Sequence, residues 1–376
     1  MRKLFSVDDH IVEPADVWST RVPQRFREAA PRIVEEGDVE YWLVEGERMP
    51  TVGLNAVAGK PENWTFDPVR FSDMIPGCYD ASARVADMRA EGIVASINFP
   101  SLPRFGGALF PSFRDKELAD VCVRAWNDFM MDEWCAAGPD MFVPMAIVQL
   151  WDPAAAVSEI TRLLDRGLRA ITIPEETSNL GLPSYYTDFW DPIWSLCQEA
   201  GVPVCMHIGS SGWRAYTPPE ASPSLTVALG FVPTITHALG MMFGPVPRKF
   251  PDIKIVYSEG GINWVPSALE RADRMYEAHR VWSGDDDLLP SEVLRRNMWF
   301  CMIDEPYGLR VRHEIGIDRI MWECDYPHSS CVWPNTQATV DELLGTIPDD
   351  EAELIAFRNA EHVFSWTCTE PVAVGA

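Results

Sequence analysis

Eight short runs of apolar, mostly β-prone residues recur along the chain, and helix-like segments separate most of them. The runs are Leu4–Val7, Val94–Phe99, Phe142–Gln149, Ala170–Ile173, Val202–Met206, Ile253–Tyr257, Met298–Cys301 and Arg319–Trp322. The helical patterns are Ser82–Glu91, Asp115–Ala137, Pro153–Arg166, Asp188–Ala200, Trp264–Trp282 and Pro306–Ile315. Strands that alternate with helices form parallel βα units. The alternation therefore predicts a single α/β domain over residues 1–376, a (β/α)8 TIM barrel.

One stretch interrupts this alternation. Proline, glycine and charged residues dominate residues 14–80, and no strand is obvious between Ala15 and Tyr79. We expect an insertion after strand 1 that covers the C-terminal mouth of the barrel, where active sites of this fold lie. At the other end, Glu351–Asn359 has a helical pattern, so residues 347–376 are expected to form a C-terminal helix and tail.

Charge and composition exclude several classes of partner. The chain has 31 basic and 56 acidic residues, and its net charge of −25 repels nucleic acid. We find no apolar run of the roughly 18–20 residues that a membrane span needs, and the polar first ten residues do not resemble a signal peptide. Nine cysteines without C-x-x-C spacing indicate free thiols in a reducing compartment. We predict a cytoplasmic homo-oligomer without a membrane or nucleic-acid partner.

Acidic and imidazole side chains follow five of the eight runs. These strand ends read Asp8-Asp9-His10, Pro174-Glu175-Glu176, Met206-His207, Ser258-Glu259-Gly260 and Glu323-Cys324-Asp325-Tyr326-Pro327-His328. Because side chains alternate along a strand, Asp8 and His10 face the same way. A barrel brings strand ends together, and carboxylates with imidazoles are ligands for zinc, iron or manganese. The sequence therefore predicts a metal site that begins in strand 1.

Four motifs carry a resemblance to a known family. The segments Val7–Pro14, Met206–Gly209, Asp325–His328 and Asn359-Ala360 resemble the amidohydrolase-related TIM-barrel family, which includes metal-dependent aromatic decarboxylases. The motifs run from one end of the chain to the other. The resemblance implies that Asp8, His10, His207 and Asp325 bind metal.

Two positions depart from the decarboxylase pattern. Those enzymes carry a His-x-Gly after strand 6, where the histidine assists proton transfer, whereas this chain has Glu259-Gly260-Gly261. At the end of strand 4, where dinuclear relatives place an anionic bridging group, stands Glu175, with Glu176 as a competitor that the sequence does not eliminate.

These departures favour a second metal ion. Four carboxylates packed together repel one another, and two divalent cations would keep them ionised. We therefore expect two Fe ions, because iron suits a site with many oxygen ligands and two imidazoles. The predicted ligands are Asp8, His10, Glu175, His207, Glu259 and Asp325.

The carboxylate-rich pattern, with Trp264 and Trp322–His328, resembles a branch that contains TIM-barrel non-haem diiron monooxygenases. The resemblance implies an oxidoreductase that hydroxylates a bulky apolar small molecule of specialised, terpenoid-type metabolism. Such enzymes often act on coenzyme A-linked substrates, so a coenzyme A thioester is a candidate substrate. Electrons would come from an external donor. The catalytic candidates are Asp325, Glu259 and His328.

A second hypothesis is a hydrolase or decarboxylase with one Zn or Mn ion that acts on a small organic acid. The metal would activate water or polarise a substrate carboxylate, with Asp325 or Glu259 as the base. His328 remains open as a ligand, a proton donor or a loop residue. A third hypothesis is a barrel kept as a binding or scaffold protein without metal. Analysis of the metal content of the purified protein distinguishes these three hypotheses.

Overall fold

The structure is a computed structural model that describes residues 1–49, 52–53, 55–60, 68–283 and 287–369. Parts of the predicted insertion and of the predicted C-terminal tail lie outside these residues. The nine cysteines are all free thiols, and all but Cys331 are buried.

Eight parallel strands form the centre of the fold, and each predicted run contributes one of them. In chain order, barrel strands 1 to 8 are Leu4–Ile11, Ile93–Pro100, Phe142–Val143 with Met145–Ile147, Ala170–Thr172, Val204–His207, Ile255–Ser258, Met298–Met302 and Ile320–Trp322. Every residue in these strands is buried, as expected for strands that are covered on both faces. The predicted TIM barrel is confirmed.

Strand pairing closes the barrel. Strands 1, 2 and the first half of strand 3 form one parallel ladder, and the second half of strand 3 continues through strands 4 to 8. Pro144 separates the two halves of strand 3 because it has no N–H to donate to the ladder. Strand 8 returns to strand 1 through hydrogen bonds from Asp325 N to Asp8 O (2.8 Å) and from His10 N to Tyr326 O (2.6 Å). Closure of the barrel therefore brings the motif Asp8-Asp9-His10 next to the motif Asp325–His328.

Helices surround the barrel. The main ones are Ala81–Ala90, Lys116–Phe129, Pro153–Leu164, Asp191–Ala200, Phe231–Phe243, Val265–Ala278, Pro290–Asn297, Thr336–Leu344 and Asn359–Phe364. Shorter ones are Cys135–Ala137, Pro223–Ala228, Val246–Lys249, Arg280–Ser283, Pro306–Arg310, Arg312–Ile315 and Asp349–Glu353, and π-helical turns cover Met130–Trp134 and Leu354–Arg358. The six helical patterns read from the sequence all contain helix. The list of helical patterns did not include the helices within 223–249, 290–297 and 336–344.

The segment after strand 1 contains a small sheet. Its three antiparallel strands are Arg32–Glu36, Val39–Val44 and Glu47–Met49. The prediction that no strand lies between Ala15 and Tyr79 is therefore wrong. The sheet contacts the core through Trp42, whose ring meets Trp18 edge-on at 5.4 Å between centroids. That this segment acts as a cap over the mouth stays a prediction.

One helical segment is long and apolar enough to cross a membrane by length and composition alone. It spans Pro223–Lys249 with a mean hydropathy of 1.5, and 28% of the window is buried. Gly230 and Gly244 interrupt it between its three helices. The statement that no such apolar stretch exists is thus corrected, and one helix of this kind is weak evidence for a membrane span.

Candidate metal centre

Strands 1 and 5 bring three predicted ligands together. Nε2 of His207 lies 3.1 Å from Oδ2 of Asp8 and 3.1 Å from Nε2 of His10. Nε2 of His10 is 3.4 Å from Oδ1 of Asp8. All three side chains are fully buried. Nδ1 of His207 contacts the carbonyl oxygen of Ile208 at 2.7 Å, which leaves Nε2 facing the centre.

The loop after strand 8 adds the fourth predicted ligand. Oδ1 of Asp325 lies 3.3 Å from Nε2 of His10 and 2.8 Å from Nδ1 of His328, and the other Asp325 oxygen accepts a hydrogen bond from Ser330. Asp325 has a left-handed backbone (φ 60°), a conformation that an aspartate adopts rarely and that clusters at functional sites. His328, which the sequence left unranked, is thus placed against Asp325.

These side chains fit a divalent cation. Donor atoms of Asp8, His10 and His207 lie within 4.8 Å of one another, and so do those of His10, Asp325 and His328. Both oxygens of Asp8 are buried without a hydrogen-bond partner among the described residues. Buried carboxylate oxygens without partners carry a large desolvation penalty, which metal coordination relieves.

The pKa shifts of these side chains also indicate that the cluster lacks positive charge. Burial raises the pKa of Asp8, and the charge of Asp325 raises it further. Burial also favours a higher pKa for Asp325. The positive charge of His328 and the hydrogen bond from His10 outweigh this effect and lower the pKa of Asp325. Burial lowers the pKa of His10, so this imidazole is neutral and can act as a ligand.

Glu259 lies at the edge of this cluster. Its Oε2 is 3.5 Å from Nε2 of His207, and a quarter of its side chain is exposed. Its backbone is left-handed (φ 57°), and its N–H donates to both oxygens of Glu323 at 3.1 Å. Glu323 is buried, and the sequence did not single it out as a site residue. It holds the turn that directs Glu259, a role that appears only when the ends of strands 6 and 8 are brought together on either side of strand 7.

Glu175 is buried, but it lies outside both groups of possible ligands. Thr234, on the helix Phe231–Phe243, donates a hydrogen bond to its Oε1 at 2.5 Å, and burial raises its pKa to about 7. The competing Glu176 is partly exposed and accepts hydrogen bonds from the backbone of Thr177 and Ser178. The structure therefore selects Glu175 as the inward side chain and does not gather it with the ligand atoms.

Phe105 forms one wall of the centre. Its ring centroid lies 4.1 Å from that of His207, 4.8 Å from that of His10 and 5.8 Å from that of His328. Thr172 donates to its carbonyl oxygen at 2.8 Å, which anchors the loop after strand 2. The sequence offered no signal for this residue because it belongs to no charged motif.

A buried arginine forms hydrogen bonds with the backbone next to the cluster. Arg84 is 1% exposed and donates to three acceptors: the carbonyl oxygens of Gly77 (2.7 Å) and His10 (2.6 Å) and Oδ1 of Asn98 (3.1 Å). It therefore links the helix Ala81–Ala90 to strands 1 and 2 at the backbone of His10.

We expect Arg84→Leu to lower the free energy of unfolding by about 3–5 kcal/mol, because it leaves three buried acceptors unpaired. Chemical denaturation measures this change. Arg89→Leu on the exposed face of the same helix is the matched control and should shift stability by less than about 0.5 kcal/mol. Equal stabilities of the two variants would contradict the supporting role of Arg84.

Comparison with known proteins gives the following matches. Residues 38–366 match the model of the amidohydrolase family. Decarboxylase orsB of Emericella nidulans is 25% identical over 257 residues, which are 65% of this chain and 76% of the relative. A gamma-resorcylate decarboxylase of Rhodococcus jostii is 25% identical over 290 residues, which are 67% of this chain and 82% of the relative.

Solved structures share the fold. A crystal structure of an amidohydrolase from Mycobacterium avium subsp. paratuberculosis has a TM-score of 0.77 at 22% identity, over 96% of this chain and 99% of that one. A 5-carboxyvanillate decarboxylase from Novosphingobium aromaticivorans, complexed with manganese and 4-hydroxy-3-methoxy-5-nitrobenzoic acid, has a TM-score of 0.67 at 20% identity, over 96% of each chain.

These matches overturn the leading functional prediction. The relatives are decarboxylases, so the prediction of an oxidoreductase that hydroxylates an apolar substrate is wrong. The expectation of two iron ions has no support: the donor atoms form two compact groups that share His10, and neither group includes Glu175 or Glu259. The coenzyme A thioester and the external electron donor were inferred from the oxygenase hypothesis, so they have no support without it.

Proposed function

Because the chain belongs to the amidohydrolase family, we propose that it is a metal-dependent decarboxylase that acts on an aromatic carboxylic acid. The observation that carries this proposal is the buried cluster of Asp8, His10, His207 and Asp325, whose unpartnered oxygens fit a cation. The decarboxylase relatives support the reaction, and the aromatic acids in their names support the substrate class.

In this proposal Asp8, His10, His207 and Asp325 hold one divalent ion such as Mn or Zn. When bound, the metal neutralises the carboxylates and polarises the carboxylate of the substrate. The side chains of Asp8 and His10 come from one strand, so their relative position is fixed by the backbone of the barrel rather than by a mobile loop. His328 holds Asp325 through the 2.8 Å contact with its Oδ1.

The reaction breaks the bond between the ring and the carboxyl carbon. The electron pair stays on the ring carbon, carbon dioxide leaves, and the ring carbon takes up one proton, so no electrons are exchanged with another molecule. Glu259 is the proton donor in our proposal, because it replaces the usual strand-6 histidine, lies beside His207 and is partly open to the mouth. Phe105 would pack against the flat face of the substrate ring.

The proposal is tested with purified enzyme loaded with Mn²⁺ or Zn²⁺ under anaerobic conditions. We expect 2,6-dihydroxybenzoate, 5-carboxyvanillate or a related hydroxybenzoate to release one carbon dioxide per product phenol. In deuterated water the product should carry one deuterium at the carbon that lost the carboxyl group. Failure of metal-loaded enzyme with every hydroxybenzoate, or turnover that requires dioxygen, would overturn the proposal.

A further inference from the structure

The carboxylate of Asp9 stands between two candidate metal ligands in the chain but faces away from them. Because side chains alternate along strand 1, Asp9 points to the side opposite Asp8 and His10. It is 1% exposed, and neither group of possible metal ligands includes it. Its Oδ2 accepts a hydrogen bond from the hydroxyl of Ser96 on strand 2. A buried carboxylate costs free energy unless hydrogen bonds satisfy it, so its other partners indicate its role.

The remaining partners of Asp9 belong to the backbone on both sides of Asp325. Oδ1 of Asp9 accepts hydrogen bonds from the N–H of Tyr326 at 3.0 Å and from the hydroxyl of Ser6 at 3.1 Å. The hydroxyl of Ser6 in turn accepts a hydrogen bond from the N–H of Cys324 at 2.9 Å. Asp9 is therefore joined to the residue after Asp325 directly and to the residue before it through Ser6.

The backbone of Asp325 requires such support. It is left-handed (φ 60°), a conformation that a residue with a Cβ keeps only where its surroundings impose it. The N–H of Asp325 itself donates to the carbonyl oxygen of Asp8 at 2.8 Å. The N–H groups of residues 324–326 thus all donate to strand 1, where their acceptors are the hydroxyl of Ser6, the carbonyl oxygen of Asp8 and the carboxylate of Asp9.

We propose that Asp9 is a positioning residue that directs the carboxylate of Asp325 toward the metal. The inference rests on the proposed function in one respect, the binding of metal by Asp325. Oδ1 of Asp325 lies 3.3 Å from Nε2 of His10, and this distance requires that the loop after strand 8 stays against strand 1. Without the carboxylate of Asp9, the N–H of Tyr326 and the hydroxyl of Ser6 lose their shared acceptor, so the loop is no longer fixed.

Binding of Mn²⁺ to the purified protein tests the proposal, with free Mn²⁺ measured by its electron paramagnetic resonance signal. Loss of a residue that orients a metal ligand lowers metal affinity by about 10–100-fold, and we expect this loss in Asp9→Ala. Asp9→Asn keeps an oxygen that can accept from the N–H of Tyr326, so it should restore most of the affinity.

The matched control is Glu13→Ala. Glu13 is also 1% exposed and accepts three hydrogen bonds, but its donors are the N–H groups of Ser101 and Leu102 and the indole of Trp126. None of these donors lies in the loop after strand 8. Glu13→Ala should therefore disturb the fold about as much as Asp9→Ala does and should keep the Mn²⁺ affinity of the wild type.

Chemical denaturation in EDTA and in saturating Mn²⁺ separates positioning from stabilisation of the fold. Both alanine variants should lower the free energy of unfolding in EDTA, because each leaves buried donors unpaired. Only Asp9→Ala should also lose part of the extra stability that Mn²⁺ gives, since stabilisation by a ligand increases with its affinity. If Asp9→Ala does not fold, Ser6→Ala decides by the same two measurements, because it removes the acceptor of the Cys324 N–H.

Equal Mn²⁺ affinity in the wild type and Asp9→Ala, or an equal loss in Glu13→Ala, would overturn the proposal. A wild type that binds neither Mn²⁺ nor Zn²⁺ would overturn it together with the proposed function. A wild type that binds Mn²⁺ but releases no carbon dioxide from any hydroxybenzoate would overturn the proposed function alone, because the comparison of affinities does not use turnover.

Discussion

A His207→Ala variant is expected to lose its metal and, with it, all measurable decarboxylation. Nε2 of His207 lies within 3.1 Å of both Asp8 and His10, so its removal opens the donor set at its centre. Loss of a residue that merely orients a ligand lowers metal affinity by about 10–100-fold, and loss of a ligand should exceed that range. Metal content after dialysis, measured by mass spectrometry, and carbon dioxide release check the prediction.

The matched control is His313→Ala, because His313 lies on the helix Arg312–Ile315 and pairs with Glu351 at 3.3 Å with 60% of its side chain exposed. This variant should keep wild-type metal content and turnover. A His207→Ala protein that retains one metal per chain would show that the cluster does not bind the metal as we propose.

A Glu259→Gln variant is expected to keep its metal and to lose turnover by about 10²–10⁴-fold, the usual contribution of a positioned acid or base. Glutamine has nearly the same shape but cannot supply a proton. Glu259 lies outside both groups of donor atoms, so metal binding should survive. The measurement is kcat together with the metal content of the same sample.

Glu176→Gln serves as the control, since Glu176 is partly exposed and contacts backbone N–H groups of its own loop. It should leave kcat unchanged. Unchanged kcat in Glu259→Gln would move the proton-donor role to Asp325 or His328, and loss of metal in that variant would make Glu259 a ligand.

The barrel was predictable because its strands are buried on both faces. Such strands appear in the sequence as short continuous apolar runs, and eight runs separated by helices admit few other folds. The small sheet within 32–49 was missed because two of its three strands are partly exposed and rich in charged residues. The middle strand, Val39–Val44, is mostly β-prone but stands alone between them. The helices within 223–249 were not among the listed helical patterns because prolines and glycines interrupt their apolar sequence.

The candidate site was only partly predictable. Asp8 and His10 follow from one strand and its two-residue repeat. The choice between Glu175 and Glu176 depended on Thr234, which lies on a distant helix and holds the inward carboxylate. The expectation of two iron ions came from a count of carboxylates at the strand ends, and such a count does not show that Glu175 lies outside the two groups of donor atoms.

The sequence by itself determined the barrel, the position of its active end and the residue types gathered there, since these depend on local periodicity and on the order of strands along the chain. Only the tertiary structure decided which of those residues meet. Closure of strand 8 against strand 1 places Asp325 beside His10, and the hydrogen bonds from Glu259 to Glu323 set the direction of Glu259. Contacts between residues far apart in the chain leave no periodic pattern, so only the geometry shows that Glu175 lies outside the two groups of donor atoms.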